Sequence, residues 1–191
     1  MLFIACLLPF GWLAAGAATD SLGPNPAEAL IRGFGDWTLR FLCLTLAVTP
    51  VRQWTHTPAL ARFRRMLGLF TFFYGCVHFL CYAWLDKDLL LHDIVTDIAK
   101  RPFILVGTLA LVLMLPLAAT SFNRAIKALG APRWRRLHQL VYVTVLLGLL
   151  HFFWMRAGKN DFAEVSVYAA IVAVLLGSRV LAWRQHHRAA G

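Results

Sequence analysis

The sequence predicts an all-α integral membrane protein, a single-domain bundle of about six transmembrane helices. Of its 191 residues, 60% are hydrophobic and only 15% are charged, whereas about a quarter of the residues in an ordinary soluble domain are charged. Several apolar runs approach the roughly 17–25 residues that cross the hydrocarbon core of a bilayer. Short polar connections separate these runs, so we expect residues 1–191 to form one transmembrane domain.

Charged residues and turns rich in Pro and Gly bound each apolar run and predict where the helices lie. The predicted helices are residues 2–18, 37–51, 66–85, 102–121, 138–155 and 165–182. The second is short and carries Arg40 one turn inside, from where a long side chain can reach the interface. The small residues at 14–18 would also suit a signal peptide, but no basic segment precedes the first run. We therefore interpret this run as a retained helix.

Basic residues are concentrated on one side of the predicted bundle. Connections two-to-three and four-to-five, with the carboxyl-terminal tail, carry twelve: Arg52, Arg62, Arg64, Arg65, Arg124, Lys127, Arg133, Arg135, Arg136, Arg179, Arg184 and Arg188. The other connections carry six basic residues and all nine acids, which are Asp20, Glu28, Asp36, Asp86, Asp88, Asp93, Asp97, Asp161 and Glu164. The positive-inside rule then predicts that both termini are cytoplasmic and that the odd-numbered helices run outward.

Two other classes of protein are disfavoured by the same composition. The net charge of +10 arises from basic loops between apolar runs, which membrane topology produces without any nucleic acid. All four cysteines, Cys6, Cys43, Cys76 and Cys81, lie in apolar runs, where they usually serve as small buried side chains. There is no Cys-x-x-Cys or Cys-x-x-Cys-His sequence, so neither a thioredoxin-like site nor covalent heme attachment is indicated.

Three histidines lie within predicted spans and are the candidate functional residues: His78, His138 and His151. An ionisable side chain inside a membrane is costly and is therefore a functional candidate by default. By contrast, His56 and His92 lie in loops. The pair at 186 and 187 belongs to the basic tail, where a solvated or headgroup-facing position is expected.

His78 and His151 are predicted to lie at similar depth near the outer face. They stand seven and four residues before the ends of two helices that run in the same direction. Two neutral imidazoles from neighbouring helices suit the axial positions of a b-type heme, with side chains such as Phe79, Leu80 and Phe152 against the porphyrin. Two alternatives stay open at this point. The histidines could make polar contacts between helices, or they could relay protons, although no acid lies in the middle of a predicted span.

His138 is predicted to lie nearer the inner face. It precedes His151 by thirteen residues, which is about 20 Å along a helix and a rotation of about 220° after whole turns. The matching positions on the third helix hold Arg64 and Arg65, so a second heme with two histidines has no obvious fourth ligand. The arginines on this side either hold the orientation and attract anionic lipid or bind a flavin phosphate or heme propionates.

Five short stretches carry a resemblance to a known family. They are 23–28 (GPNPAE), 64–69 (RRMLGL), 73–78 (FYGCVH), 100–102 (KRP) and 133–142 (RWRRLHQLVY). In this order they resemble the heme-binding membrane subunits of the protein-methionine-sulfoxide reductase system, the MsrQ or YedZ family. That family is grouped with the ferric-reductase-like transmembrane cytochromes, and the resemblance covers nearly the whole chain.

The resemblance implies a b-type cytochrome of a bacterial inner membrane, with one or two hemes and His78, His138 and His151 as ligands. Its electrons would come from the quinone pool or a cytoplasmic flavin reductase and pass to a periplasmic molybdopterin enzyme that reduces methionine sulfoxide in damaged proteins. FMN is implied by the resemblance alone, because the sequence has no glycine loop that would cradle a phosphate. Arg64 and Arg65 are candidate contacts for heme propionates, flavin or quinone.

We therefore expect a membrane cytochrome in which His78 and His151 hold heme iron near the outer face, with His138 as an inner or exchangeable ligand. The chain is expected to transfer electrons, while the bond-making chemistry belongs to its partner, since no outer loop is large enough for a molybdenum-binding domain. The alternatives are a ferric reductase or oxidase-like cytochrome with another acceptor, and a heme-free membrane anchor.

Overall fold

The computed structural model describes residues 1–158 and 160–188, without the side chains of 186–188. The described residues form helices and connections with no β-strand, as the sequence predicts. Lys159 and the side chains of His186, His187 and Arg188, which the sequence analysis assigns to an outer connection and the basic tail, lie outside the described residues.

Nine α-helices follow one another along the described chain. They are α1 (Leu2–Ala18), α2 (Pro26–Trp54), α3 (Ala61–Cys81), α4 (Leu91–Lys100), α5 (Pro102–Ala119), α6 (Asn123–Leu129), α7 (Ala131–His138), α8 (Leu140–Ala157) and α9 (Ala163–Arg188). A 3-10 turn, Pro58–Leu60, leads into α3, and a π-helical turn, Tyr82–Asp86, extends it.

Four of the described helical segments are long and apolar enough to cross a membrane: Pro58–Asp86, Pro102–Ala119, Ala131–Ala157 and Ala163–Gln185. The chain is therefore a multi-pass membrane protein. α1 is apolar but has 17 residues, and α2 is longer but carries Arg32, Asp36 and Arg40. Transmembrane positions for these two helices remain predictions.

The second helix begins eleven residues before its predicted start at residue 37. Asn25 caps it, because its side-chain oxygen accepts a hydrogen bond from the backbone N–H of Glu28 at 3.1 Å. Pro26 occupies the first turn, where a missing N–H costs nothing. Arg32 then pairs with Glu28 one turn back. The prediction that Asp36 lies in a connection is consequently wrong, since this residue lies within α2.

Other predicted boundaries also differ. The connection after the third span contains the amphipathic α4, and the connection after the fourth contains α6. The fifth helix was predicted to start at residue 138, yet α7 already begins at Ala131 and ends at His138, directly before α8. Each missed segment is rich in charged residues, so an apolar run could not reveal it.

The helices pack as a central group of four with one helix on each flank. α2 packs along α3, α5 packs along α8, and α3 contacts α5. α1 lies against α2 and α3 over an aromatic core that includes Phe34, Phe41 and Tyr74. α9 lies against α2 and α8 over a largely aliphatic core that includes Leu46, Val145 and Val172. The two pairs α2–α3 and α5–α8 thus face each other across the α3–α5 contact.

Candidate functional site: a pair of histidines between two helix pairs

The side chains of His78 and His151 meet between the two helix pairs. Their ring centroids are 6.1 Å apart, with the ring planes inclined by 73°. His78 comes from α3 and His151 from α8, so the two imidazoles approach each other from opposite pairs. The two histidines that the sequence places at similar depth are thus neighbours, and their shared role as ligands stays a prediction.

Each imidazole is anchored to the partner helix within its own pair. Nδ1 of His78 lies 2.8 Å from the carbonyl oxygen of Ile31 on α2. Nδ1 of His151 lies 2.6 Å from the carbonyl oxygen of Phe103 on α5. A carbonyl oxygen can only accept, so each Nδ1 carries the proton and donates it. The proton-free nitrogen of both rings is therefore Nε2, the atom available to a metal.

Two glycines leave room for these rings. A Cβ atom built on Gly107 of α5 would lie 2.7 Å from Nδ1 of His151, and one on Gly35 of α2 would lie 3.1 Å from Cε1 of His78. Separations below 3 Å force a shift. Glycine at these two positions therefore allows each ring to approach closely the helix whose backbone accepts its hydrogen bond.

The spacing of the pair is compatible with two imidazole ligands of one metal ion. A bond between a metal and an imidazole nitrogen is about 2 Å long, so two imidazoles that share one metal have ring centroids about 6 Å apart. The observed 6.1 Å agrees with that spacing. Both rings are neutral donors whose second nitrogen is already hydrogen-bonded, which is the usual state of a histidine ligand.

Two of the three side chains expected against the porphyrin lie away from the histidine pair. Phe152 packs in the core between α2, α8 and α9, with its ring 5.8 Å from that of Tyr168. Leu80 is exposed. The ring of Phe79, the third, lies 5.9 Å from that of Tyr82. Successive residues of a helix point about 100° apart, so sequence neighbours of a ligand need not share its helix face. The ring that does lie beside His151, at 6.1 Å, is that of Phe103 on α5.

His138 occupies a separate position at the junction of α7 and α8. Its Nδ1 lies 3.1 Å from the carbonyl oxygen of Trp134, and the two rings stack with centroids 3.9 Å apart. Its Nε2 is buried and makes no hydrogen bond of normal geometry in the described structure, although the backbone of Leu117 lies close to the ring. The structure therefore does not bring His138 to the other two histidines.

The two candidate arginines lie on the side of the molecule where His138 is found. Arg65 donates to the side-chain oxygen of Asn123 at 2.8 Å. Arg64 is exposed and close enough for its charge to act on His138. Neither arginine approaches the pair formed by His78 and His151, so any role for them belongs to the His138 end.

Sequence reasoning missed the backbone part of the site. The acceptors at Ile31 and Phe103 are carbonyl oxygens, which every residue has, and no sequence pattern distinguishes them. Gly35 and Gly107 did leave a signal, because an isolated glycine within a helical run often marks a close approach. Assigning that approach to a histidine required the packing of α2 on α3 and of α5 on α8.

Comparison with known proteins gives the same family on two grounds. The family model for ferric reductase like transmembrane components matches residues 34–149. The heme-binding subunit MsrQ of protein-methionine-sulfoxide reductase from Polaromonas naphthalenivorans is 67% identical over 180 residues, which is 94% of this chain and 82% of that protein. MsrQ from Herminiimonas arsenicoxydans is 53% identical over 189 residues, covering 98% of this chain and 87% of that protein.

One related sequence is part of a longer protein with a different name. The magnetosome protein MamZ from Magnetospirillum gryphiswaldense is 43% identical over 190 residues, which is 96% of this chain but 29% of that protein. No solved structure matches the chain. The chain therefore belongs to the ferric-reductase-like transmembrane family and, within it, to the MsrQ heme-binding subunits of protein-methionine-sulfoxide reductase.

Proposed function

We propose that the chain is a b-type heme membrane subunit that passes electrons outward across a bacterial inner membrane to a periplasmic molybdopterin methionine sulfoxide reductase. The observation that carries this proposal is the adjacent pair of His78 and His151, in which each Nδ1–H donates to a backbone carbonyl and each Nε2 carries no proton. Heme bound there would supply a reversible one-electron carrier. Repair of oxidised periplasmic proteins would be the purpose of the transfer.

The chain's own residues hold and orient the carrier in this proposal. Ile31 and Phe103 fix the tautomer and the rotation of the two rings, and Gly35 and Gly107 admit the rings between the helices. The surrounding helices are apolar and limit the access of water, which raises the influence of each hydrogen bond on the iron. The chain provides no group for sulfoxide reduction in this proposal, and that reaction belongs to the partner.

The direction of transfer follows from the predicted topology. With six spans and both termini in the cytoplasm, the pair of His78 and His151 lies towards the periplasmic face. His138 would lie towards the cytoplasmic face and would be an inner or exchangeable heme ligand through its buried Nε2, which makes no hydrogen bond of normal geometry in the described structure. Electrons would enter from the quinone pool or from a cytoplasmic flavin reductase. FMN is implied by the family resemblance. Its phosphate would bind to the positively charged side chains of Arg64 and Arg65 on the inner side.

A ferric reductase or oxidase-like function with another acceptor is the second candidate, because the matching family model describes ferric reductase like components. The same heme, held by His78 and His151, would serve both functions. The two differ only in which molecule takes the electron on the outer side.

A dithionite-reduced minus oxidised absorption spectrum of the purified protein tests the proposal, with pyridine hemochrome quantification of heme per chain. We expect a b-type spectrum at one or two hemes. A heme-free protein after expression with ample heme would contradict the proposal and favour a membrane anchor. Rapid reoxidation of the reduced heme by the periplasmic reductase, compared with ferric citrate, then decides between the two acceptors.

A further inference from the structure

One arginine of α9 lies within a segment that is apolar enough to span the membrane. Arg179 is half-buried in the helical segment Ala163–Gln185. A charged side chain at such a position is costly and needs a structural or functional reason. No Asp or Glu occurs at residues 37–85, 98–160 or 165–191. The helices that Arg179 contacts therefore offer it no carboxylate over these residues, and an ion pair is not the reason.

The guanidinium of Arg179 donates to backbone carbonyls of two helices. Its Nη2 donates to the carbonyl of Leu46 on α2 at 2.5 Å, and its Nη1 donates to the carbonyl of Leu175, one turn back on α9, at 2.6 Å. Its Cζ lies 5.6 Å from the centre of the Tyr142 ring on α8, which is a cation–π distance. The side chain thus runs back along α9, whereas an arginine that reaches for the nearer headgroups would extend towards the basic tail. Arg179 therefore joins α9 to α2 and α8.

The carbonyl of Leu46 lacks the donor that a regular helix would give it. In an α-helix this oxygen accepts from the N–H four residues later, and here that residue is Pro50, which has no N–H. Leu46 is 2% exposed and Pro50 is fully buried, so water has little access to this carbonyl. A buried carbonyl without a donor costs free energy. Nη2 of Arg179 supplies the donor.

We propose that Arg179 and Pro50 form an interhelical clamp, in which the guanidinium replaces the N–H that proline removes and thereby fastens α9 to α2. The planar fork of an arginine suits this role, because it can donate to carbonyls of two helices at once. The clamp holds the carboxyl-terminal half of α9. Near its other end, Arg156 of α8 pairs with Asp161 and Glu164. α9 is consequently fastened near both of its ends.

A double-mutant cycle tests the clamp. Arg179→Met keeps an unbranched side chain without donors and should lower the thermal midpoint of the purified full chain in detergent by about 3–8 °C, because a hydrogen bond to a charged group is lost. In Pro50→Ala, the N–H of residue 50 can bond to Leu46. Arg179→Met should therefore lower the midpoint by less than half as much in that background. An equal loss in both backgrounds would overturn the clamp, since the arginine would then act independently of the proline.

Pro116 provides the matched control, because it also lies inside a helix, α5. The carbonyl that it leaves without an N–H belongs to Val112, whereas the described contacts of Arg179 are with α2, α8 and its own helix. Pro116→Ala should leave the effect of Arg179→Met unchanged. If Pro116→Ala reduced that effect as much as Pro50→Ala does, the rescue would reflect a general gain in helix stability and the inference would fail.

Arg179→Lys separates the clamp from a role of the charge alone, and it leaves Pro50 in place. Lysine keeps the positive charge but lacks the fork, so one ammonium group replaces two donor nitrogens in fixed positions. We expect Arg179→Lys to melt close to Arg179→Met. A midpoint equal to that of the wild type would assign the residue to its charge, as an anchor to lipid phosphate, and would also overturn the clamp.

Heme per chain, measured on the same samples, keeps this inference separate from the proposed function. The clamp depends only on contacts among α2, α8 and α9. A heme-free chain that shows the coupling between Arg179 and Pro50 supports the clamp and contradicts the cytochrome. A chain that holds heme without the coupling overturns the clamp alone.

Discussion

The two paired histidines differ from His138 in how each ring is held. His78 and His151 take hydrogen-bond partners from neighbouring helices. His138 uses the carbonyl of Trp134 in its own helix. The orientation of the paired rings therefore depends on tertiary packing, whereas the orientation of His138 is local.

Replacing either paired histidine should remove heme. We expect His78→Ala and His151→Ala to lose most of the reduced heme absorption per chain, because a single remaining axial ligand holds the iron weakly. His138→Ala should have a milder effect, since its Nε2 lies in a separate position. The measurement is pyridine hemochrome per purified chain. Full heme retention in both His78→Ala and His151→Ala would rule out this pair as the ligands.

A methyl group at Gly107 should disturb the site through the His151 ring. In Gly107→Ala the new Cβ would lie 2.7–3.1 Å from three ring atoms, so the ring must move and its bond to Phe103 must lengthen. We expect lower heme occupancy or a shifted reduction potential, measured by redox titration. Gly148→Ala on α8 is the matched control, because a Cβ there meets nothing within 4 Å. Alanine favours a helix over glycine, so equal effects of the two variants would contradict this explanation.

At the scale of an element, one hydroxyl group adds hydrogen bonds to the apolar packing that holds α1 on the bundle. The Tyr74 hydroxyl donates to the carbonyl of Cys6 at 2.8 Å and accepts from the N–H of Phe10 at 3.0 Å. It is thus inserted between two groups that would otherwise bond along α1, next to Pro9, which lacks an N–H. A side chain from α3 thereby satisfies the backbone of α1.

Tyr74→Phe should loosen this attachment. It leaves the carbonyl of buried Cys6 and the N–H of half-buried Phe10 without the hydroxyl, which costs about 1–3 kcal/mol, and should lower the thermal midpoint followed by circular dichroism. Tyr142→Phe provides the control, because the Tyr142 hydroxyl has no hydrogen-bond partner among the described residues. A midpoint for Tyr74→Phe equal to that of Tyr142→Phe would show that α1 is held by apolar packing alone.

The short helix α4 is fastened by Asp97. Its carboxylate accepts a hydrogen bond from Tyr82 at 2.8 Å and pairs with Lys87 at 3.2 Å and Arg101 at 2.8 Å. Burial acts to raise the pKa of Asp97, but the hydrogen bonds from Tyr82 and Lys87 and the charges of Arg101 and Lys87 outweigh it and lower this pKa below its usual value. Ionised Asp97 therefore stabilises the fold.

The stability that Asp97 contributes should depend on pH. A lowered folded pKa means that the contribution is fully present above the unfolded pKa, near 4, and is lost as the pH falls through the folded value. We expect Asp97→Asn to cost about 1–3 kcal/mol at pH 7 and much less near pH 3, measured as thermal midpoints at both values. Asp93→Asn, on the exposed side of the same helix, should change little. A difference between Asp97→Asn and wild type that is independent of pH would contradict the argument.

For the whole molecule, the uneven distribution of charge predicts a single orientation in the membrane. The two basic connections and the tail should face the cytoplasm, because basic loops resist translocation. Green fluorescent protein fused to the carboxyl terminus should fluoresce, and alkaline phosphatase fused after Asp88 should be active. An active phosphatase at the carboxyl terminus would contradict both the orientation and the outward direction of electron transfer.

Much of the fold follows from hydropathy alone. The apolar runs near 66–85, 102–121, 138–155 and 165–182 predicted the helices that are long and apolar enough to cross a membrane. Where charged residues form helix, as in the first part of α2, in α4 and in α7, the prediction failed. Those segments have a cap, an ion-pair network or a continuous neighbouring helix beside them, and apolar periodicity reports none of these.

The sequence by itself determined the membrane character of the chain, its family and its three candidate histidines, because these depend on composition, order and residue type. Only the tertiary structure decided that His78 and His151 face each other and that His138 stands apart. It also decided which nitrogen of each ring is free, because that depends on carbonyl groups of α2 and α5, nearly fifty residues away along the chain. Such contacts arise from the packing of whole helices, so a linear sequence pattern does not identify their partners.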